Sequence, residues 1–245
     1  MSLKKTIEGK MMKNRYKFSR PLSEGLIKSR LNRFVMNVKM NDSLLRCHCP
    51  STGRIGCIKF TDVPCLLSDH ENAKRKTSCT VEAISLDRKN WIGINQTKAN
   101  SYIEFFLRTG QLRKMVGDVK TIRREVKLNK SRIDFLINGS CLLEVKTPLT
   151  DIGCGGEKPK KFISFERTIR HMNDISGNRG KRAIFLLCFL FNAKKFRVPK
   201  PAVQEARIVN AARRAASKGL ETWQINLKID RKGVSLIKYF KLDLF

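Results

Sequence analysis

The chain has 245 residues, of which 51 are Lys or Arg and 21 are Asp or Glu, so its formal net charge is +30 at pH 7. This length allows one large domain or two small ones, and an apolar fraction of 41% can fill their cores. A charge this high attracts polyanions, so the composition favours nucleic acid as the partner, ahead of an anionic membrane surface.

The cysteines and the apolar segments both indicate a protein of a reducing compartment. The N-terminal segment is basic but lacks an apolar core of signal-peptide length. The longest apolar run, residues 183–191, is too short to span a bilayer, so we expect no membrane contact. The sequence therefore predicts a cytoplasmic protein whose eight cysteines are free thiols.

A structural zinc site is the alternative role for the cysteines Cys47, Cys49, Cys57 and Cys65. In the pattern Cys-x-Cys the two thiols share a face of a strand, and no second Cys-x-x-Cys pair completes a zinc set. The spacing therefore favours thiols that line an apolar core.

The chain divides into three parts. Residues 1–17 are basic and polar, and we expect them to be flexible. Residues 18–88 carry short alternating segments and turns, which predict a small all-β domain such as an OB-like barrel. Residues 89–245 alternate helical and strand patterns, which predict an α/β domain. Its helices are predicted at 98–109, 166–176 and 203–218, and its strands at 125–128, 133–137, 141–146, 182–191, 222–228 and 234–239.

Charged side chains interrupt the apolar strands between residues 125 and 146. Asp134 lies between two large apolar residues, and Glu144 and Lys146 flank Val145, so the segment reads D…E-x-K. A buried acid without a partner is costly. The pattern therefore predicts either a metal site or a buried charge network.

The loop that joins the second and third of these strands decides whether the two carboxylates meet. Alternate residues of a strand share a face. A two-residue Asn138-Gly139 turn would pair Asp134 with Leu143 and send Glu144 to the opposite face. A three-residue loop, residues 138–140, pairs Asp134 directly with Glu144. The metal hypothesis therefore requires that loop or a bulge.

Several segments of the chain form a recognisable set of motifs. They are C-x-C-P-S-T-G at residues 47–53, N-x-K-R-K at 72–76, W-I-G-I-N at 91–95, R-R-E-V-K at 123–127, S-R-I-D-F-L at 131–136, E-V-K at 144–146 and E-R-x-x-R-H at 166–171. On these motifs the chain, from about Pro21 to Asp243, resembles the sugar fermentation stimulation protein A family. It departs from the family pattern at Ser51, Thr168 and Arg170, where Asn, Gly and Lys are usual.

The resemblance implies an N-terminal OB-like barrel and a C-terminal mixed-sheet α/β domain similar to restriction endonucleases and other PD-(D/E)xK nucleases. It also implies sequence-independent DNA binding and a regulatory role in sugar metabolism. In such a site Asp134 and Glu144, helped by the Val145 carbonyl, hold Mg²⁺ or Mn²⁺. The metal activates water, and Lys146 orients that water or offsets charge. The alternative for the three charged residues is an ion-pair ladder on an edge strand.

A further acid completes the metal site in related nucleases, and two residues are candidates. Glu104 lies on the predicted helix before the sheet, where a solvated helix face is the alternative role. Glu125 lies in the first of the three strands, where it would otherwise pair with Arg123.

Arg167, Arg170 and His171 share one face of the predicted helix at 166–176. We expect them to clamp a phosphate, with His171 and Arg167 in catalytic roles and Arg170 in nucleic-acid binding. The alternative is a basic, solvated helix face.

Basic residues of the predicted barrel could form a groove that tracks a nucleic-acid backbone, with Phe34 or Trp91 as stacking or core residues. They are Lys28, Arg30, Arg33, Arg54, Lys74, Arg75 and Lys76. Taken together, the sequence and the resemblance predict a DNA-binding protein with a metal-dependent nuclease site. The alternatives are a DNA-binding regulator of sugar metabolism with a vestigial site, and a structural RNA-binding protein.

Overall fold

The computed structural model of the protein describes residues 14–51, 53–69, 76–149, 152–154, 165–178, 180–198 and 206–245. The strands are β1 (Arg15–Lys17), β2 (Ser23–Arg30), β3 (Val35–Met40), β4 (Ser43–His48), β5 (Val63–Asp69), β6 (Cys79–Ile84), β7 (Ile92–Gly93), β8 (Ile122–Leu128), β9 (Ser131–Ile137), β10 (Cys141–Lys146), β11 (Arg182–Phe189), β12 (Leu220–Asp230) and β13 (Gly233–Leu242). The helices are α1 (Ala99–Arg108), α2 (Arg113–Val116), α3 (Glu166–Ser176) and α4 (Ala206–Ser217), and a 3₁₀ turn at Gln96–Lys98 precedes α1.

The first sheet closes into an OB-like barrel. Its strand order is β4-β3-β2-β5-β6-β7, and a parallel contact between β4 and β6, at His48 and Thr80, closes it. Cys47, Cys49 and Cys65 are free thiols buried in its core, where the sequence predicted thiols to lie. Burial raises the pKa of Cys47 and of Cys65 to about 12, so these thiols stay protonated.

The second sheet is mixed and has the order β1-β13-β12-β11-β10-β9-β8. Strands β10, β11 and β12 are parallel to one another, and the other pairings are antiparallel. Helix α1 and the barrel cover one face, and α3 and α4 cover the other. The predicted fold class, an OB-like barrel followed by a mixed-sheet α/β domain, is confirmed.

The N-terminal strand corrects one expectation. Residues Arg15–Lys17, predicted to be flexible, pair with β13 at the edge of the second sheet. The Tyr16 ring packs on Tyr102 of α1, with 4.9 Å between ring centroids. Residues 1–13 of the predicted flexible segment lie outside the described residues.

The barrel packs directly on the second domain. Leu66 and Ala83 of the barrel share a core with Tyr102 and other α1 residues. The Gly93 N–H donates to the Leu190 carbonyl at 2.9 Å, and a Cβ at Gly93 would lie 2.6 Å from the Leu190 Cβ. This close backbone approach explains why glycine occupies the position.

A disulfide joins the two domains and overturns part of the thiol prediction. Cys57, in the barrel loop after β4, is bonded to Cys154, in the loop after β10, across 97 residues of sequence. The prediction that every cysteine is a free thiol is therefore wrong for this pair. Short backbone contacts support the junction, since Gly56 N–H donates to Leu149 O at 2.7 Å.

No helix among the described residues is both long and apolar enough to cross a membrane.

Alkylation of the denatured, unreduced protein tests the disulfide. We expect six of the eight cysteines to be modified, because six are free, and all eight after reduction. Mass spectrometry should find the Cys57 and Cys154 peptides linked. The double variant Cys57→Ser/Cys154→Ser should give six modified thiols under both conditions. Eight modified thiols in the unreduced native sequence would contradict the pairing.

An ion pair links the starts of β11 and β12. The Arg182 guanidinium donates to both Glu221 carboxylate oxygens at 2.5 and 2.8 Å, and Trp223 Nε1 donates at 3.0 Å. The Arg182 hydrogen bonds outweigh partial burial and lower the pKa of Glu221 to about 2. The pair therefore stabilises the fold fully above the carboxyl's ordinary pKa, and this stabilisation is lost as pH falls from there to the lowered pKa of about 2.

Replacement of Glu221 by Gln tests this contribution. We expect the variant to lose about 1 kcal/mol of unfolding free energy at neutral pH, a modest value because the pair is partly solvated. Urea unfolding at a series of pH values should show the difference shrinking between about pH 4.5 and 2. A difference that is independent of pH would contradict the ion-pair explanation.

Candidate functional site

The hairpin loop between β9 and β10 has the three residues that the metal hypothesis requires. The register pairs Ile137 with Cys141 and Phe135 with Leu143. Asn138 and Gly139 adopt φ of 51° and 69°, in the left-handed region that such loops use. The same register continued by one residue places Asp134 opposite Glu144.

The two strands stop pairing at this point, and the Asp134 carboxylate lies between them. The Val145 N–H donates to Asp134 Oδ2 at 2.7 Å. Asn100 Nδ2, from the first turn of α1, donates to Oδ1 at 2.7 Å. Both carboxylate oxygens are thereby oriented, one by the neighbouring strand and one by the helix on the barrel side of the sheet.

Glu144 is buried, with 1% of its surface exposed. The Lys146 ammonium and His171 Nδ1 both contact its Oε1, the latter at 2.5 Å. The Asp134 N–H points to its Oε2 at 3.4 Å. Glu144 and Lys146 share the face of the sheet that α3 covers, as alternate strand residues must.

The two carboxyl groups are perturbed in opposite directions. Burial, and then the neighbouring Glu144 charge, raise the pKa of Asp134, although hydrogen bonds from Val145 and Asn100 oppose the shift. Burial also acts to raise the pKa of Glu144, but His171 and Lys146 outweigh it and the pKa is lowered. One acid is held ionised, and it disfavours ionisation of the other. A cation between them would favour both charges.

The donor atoms at this position suit a hard divalent cation. Asp134 and Glu144 supply carboxylate oxygens, and Val145, next to Glu144 in β10, has a main-chain carbonyl oxygen, which matches the oxygen preference of Mg²⁺ and Ca²⁺. Within the described ranges, no cluster of three or more His, Cys, Asp or Glu side chains is arranged to hold a metal. A cation here would therefore depend on two carboxylates, main-chain oxygen and water.

The structure does not bring either additional acid into contact with this pair. Glu104 accepts from Arg108 at 2.7 Å and from Arg124 at 3.3 Å. Glu125 has φ of 52°, which turns it away from the regular strand, and it pairs with Arg132 at 3.1 Å, not with Arg123. Its exposed side chain contradicts a place in the metal set.

Helix α3 separates the three residues that were predicted to act together. His171 is buried and faces Glu144, whereas Arg167 and Arg170 are exposed. The expectation of one shared phosphate-binding face is therefore wrong for His171. Its position suits the orientation of Glu144 better than the donation of a proton to a substrate.

Several predicted nucleic-acid-binding residues of the barrel are engaged internally. Lys28 pairs with Asp62. The Arg30 guanidinium donates to the carbonyls of Ser51 and Gly53 at 2.8 and 3.1 Å. Arg54 Nε donates to a nearby main-chain carbonyl at 2.8 Å. These contacts hold the loop after β4, so they reduce what the side chains can offer a polyanion.

The remaining barrel cations are placed differently. The Arg33 guanidinium lies over the exposed Phe34 ring, 4.9 Å from its centroid, and Lys76 is exposed. Lys74 and Arg75 lie outside the described residues. Trp91 is partly buried and packs against the core that surrounds α1.

Asn100 is the residue of the site that the sequence reasoning missed. In the sequence, Ala99 and Asn100 follow closely after the W-I-G-I-N motif. This proximity to a family motif is the signal that could have identified Asn100. A buried network anchors the helix that carries it: Lys98 and Asn95 donate to the fully buried Glu82 carboxylate at 2.7 and 2.8 Å. The barrel thereby fixes the start of α1 and, through Asn100, the orientation of Asp134.

Residues 29–94 match the SfsA N-terminal OB domain, and residues 97–233 match the sugar fermentation stimulation protein RE domain. The chain belongs to the sugar fermentation stimulation protein family. A homolog from Synechococcus sp. (strain JA-2-3B'a(2-13)) is 31% identical over 225 residues, which cover 89% of this chain and 92% of that relative. A homolog from Alcanivorax borkumensis is 28% identical over 242 residues, which cover 93% of this chain and all of that protein.

A solved member of the family has the same fold. The structure of Pyrococcus furiosus SfsA in complex with Ca²⁺ aligns with a TM-score of 0.75 and 21% identity, over 95% of this chain and 99% of that chain. The family resemblance inferred from the motifs is therefore confirmed, together with the two-domain fold.

The variant Asp134→Asn tests the repulsion between the two carboxylates. Without metal, we expect it to raise the unfolding free energy by about 1 kcal/mol, because a neutral amide removes the like charge beside Glu144 and can keep the Val145 hydrogen bond. Chemical denaturation in EDTA measures the change. The control Asp118→Asn alters an exposed acid and should change stability by less than about 0.5 kcal/mol. Destabilisation by Asp134→Asn would contradict the repulsion.

Proposed function

We propose that the protein is a metal-dependent nuclease that binds DNA without sequence preference. The observation that carries the proposal is the adjacency of Asp134 and Glu144 at the point where β9 and β10 separate, with the Lys146 ammonium on Glu144. A protein that used these residues only for folding could replace them with apolar side chains at lower cost.

The surrounding residues prepare the site for such chemistry. A bound Mg²⁺ or Mn²⁺ would polarise the scissile phosphate and supply hydroxide from its water. Asn100 and the Val145 N–H hold the Asp134 carboxylate in one orientation. His171 keeps Glu144 ionised. Lys146, whose side chain is 26% exposed, can offset charge on a phosphate at the mouth of the site.

Two further observations support the proposal. The net charge of +30 suits a phosphodiester polyanion and non-specific backbone contacts. The Ca²⁺ complex of Pyrococcus furiosus SfsA supports a hard divalent cation as the metal.

A second candidate is a DNA-binding regulator of sugar metabolism in which this site no longer turns over. One feature favours it: Glu144 Oε1 already receives both Lys146 and His171, so the charge of this acid is partly satisfied without a cation. Both candidates bind nucleic acid, and only the first cleaves it.

Cleavage assays separate the two candidates. Labelled single- and double-stranded DNA and RNA are incubated with the protein in Mg²⁺, Mn²⁺ or EDTA. We expect cleavage with metal only, and a loss of at least about 100-fold in Asp134→Asn and in Lys146→Met, because each removes charge at the reacting phosphate. Thermal unfolding should show metal stabilising the wild type more than Asp134→Asn.

Glu125→Gln is the matched control, because Glu125 lies in β8, next to β9, and its exposed side chain pairs with Arg132. It should retain cleavage within about threefold, since it removes an exposed ion pair alone. If the protein binds nucleic acid but cleaves none with any of the metals, the nuclease is rejected and the DNA-binding regulator is retained. Equal losses in Glu125→Gln and Asp134→Asn would show that the active pair is misassigned.

A further inference from the structure

Two amide side chains are buried in β12, at positions where apolar residues would cost less free energy to bury. Gln224 and Asn226 are 0% exposed and, being two residues apart on a strand, share a face. Their neighbours Trp223, Ile225 and Leu227 point into the core on the α1 side, so the amides lie on the opposite side. A buried amide needs partners for its donors and acceptor, because each unmet group costs free energy.

The partners are the backbone of residues 192–197, which we name the anchored loop. Gln224 Nε2 donates to the Lys194 carbonyl at 2.9 Å, and Gln224 Oε1 accepts from the Phe196 N–H at 2.7 Å. One side chain therefore bonds the main chain of an irregular segment at two positions, Lys194 and Phe196. In a helix or strand, neighbouring backbone groups would form these hydrogen bonds, and here a side chain forms them instead.

Asn226 completes the attachment. Its Nδ2 donates to the Ala193 carbonyl at 2.5 Å and to Asn192 Oδ1 at 3.3 Å. Its Oδ1 accepts from Gln224 Nε2 at 2.8 Å, which couples the two amides. The anchored loop therefore has a defined backbone, fixed from beneath by the sheet.

The fixed backbone presents three cations to solvent. Ala193 is buried and Phe196 packs against the α3–α4 core, so the remaining side chains face outward. Lys194, Lys195 and Arg197 are exposed, and none of them forms an ion pair with another described residue. The loop contains no acid. Its positive charge is thus uncompensated within the part of the chain that the structure describes.

The anchored loop lies at the same edge of the sheet as the proposed metal site. It follows β11, which is parallel to β10, and Lys146 at the end of β10 pairs with Leu187 near the end of β11. The carboxyl ends of parallel strands meet at one edge, so the chain leaves β11 beside Lys146 and then enters the loop.

We propose that the anchored loop is a preformed clamp for the phosphodiester backbone of nucleic acid. The inference rests on the proposed function for the class of partner and names the surface that holds it. Lys194, Lys195 and Arg197 contact phosphates, which position a strand without reading its sequence. Gln224 and Asn226 act as positioning residues, because a loop ordered in advance loses less conformational entropy on binding.

The variant Lys194→Gln/Lys195→Gln/Arg197→Gln tests the clamp. Fluorescence anisotropy with labelled DNA in EDTA measures binding without cleavage, over a range of salt concentrations. We expect affinity to fall about tenfold or more, and the slope of log affinity against log salt to become shallower by about 2 to 3.

The matched control Lys181→Gln/Arg214→Gln/Lys218→Gln removes the same residue types and the same charge. These exposed residues lie near the starts of β11 and β12, at the opposite edge of the sheet. We expect its affinity to change by less than about threefold, since distant exposed charges are screened by salt. Equal losses of affinity in the two triple variants would overturn the clamp. Binding would then be explained by the overall positive charge of the protein alone.

The variant Gln224→Leu tests the positioning role, because it keeps every cation. We expect faster tryptic cleavage at Lys194 and Lys195 together with weaker DNA binding. Faster cleavage with unchanged affinity would overturn the positioning role. The surface triple variant remains informative even if Gln224→Leu does not fold.

The outcomes separate this inference from the nuclease proposal. Loop-dependent binding without cleavage leaves the clamp and removes the nuclease. Metal-dependent cleavage with unchanged binding by the loop variant leaves the nuclease and overturns the clamp. Loop-dependent binding to vesicles of anionic phospholipid, with no binding to DNA, overturns the clamp.

Discussion

The separation of β9 and β10 beyond Leu143 is the constraint on which the rest of the structure depends. It admits the Asp134 carboxylate between the strands, beside a second carboxylate, in a place where two like charges repel. That arrangement persists only if donors reach it from several directions. The backbone of β10 supplies one, α1 supplies Asn100, and α3 supplies His171 to Glu144. The helical layers on both faces of the mixed sheet therefore each contribute a side chain to this opening.

The barrel contributes to the same constraint from a distance. Helix α1 can present Asn100 correctly only if its first turn is fixed, and the buried Glu82 of the barrel fixes it through Lys98 and Asn95. The Cys57–Cys154 disulfide and the contact of Gly93 with Leu190 hold the two domains in the same relation. The barrel thus acts as a structural support for the site, whatever it also binds.

The parts of this arrangement that the sequence predicted are those that follow from local periodicity. Strand alternation predicted that a three-residue loop at 138–140 would place Asp134 opposite Glu144, and the observed register has that loop. The helix at 166–176 and the strand at 141–146 have their predicted bounds. The parts that it missed depend on long-range contacts. Asn100 and the disulfide are set by how the domains pack, and the positive φ of Glu125 removes that acid from the site in a way that no residue pattern signals.

The distribution of charge shows why composition and position must be considered together. A net charge of +30 predicts contact with a polyanion, but it does not say which cations remain free to make it. Arg30 donates to main-chain carbonyls of the barrel, and Lys28 is paired with an acid. These two cations of β2 are therefore engaged within the fold and are less available to a polyanion. In the anchored loop the reverse holds, because buried amides satisfy the backbone and leave the cations to solvent. A basic side chain is available to a phosphate when something else meets the hydrogen-bonding needs of its surroundings, and in this chain Gln224 and Asn226 do so at the edge of the sheet where Lys146 lies.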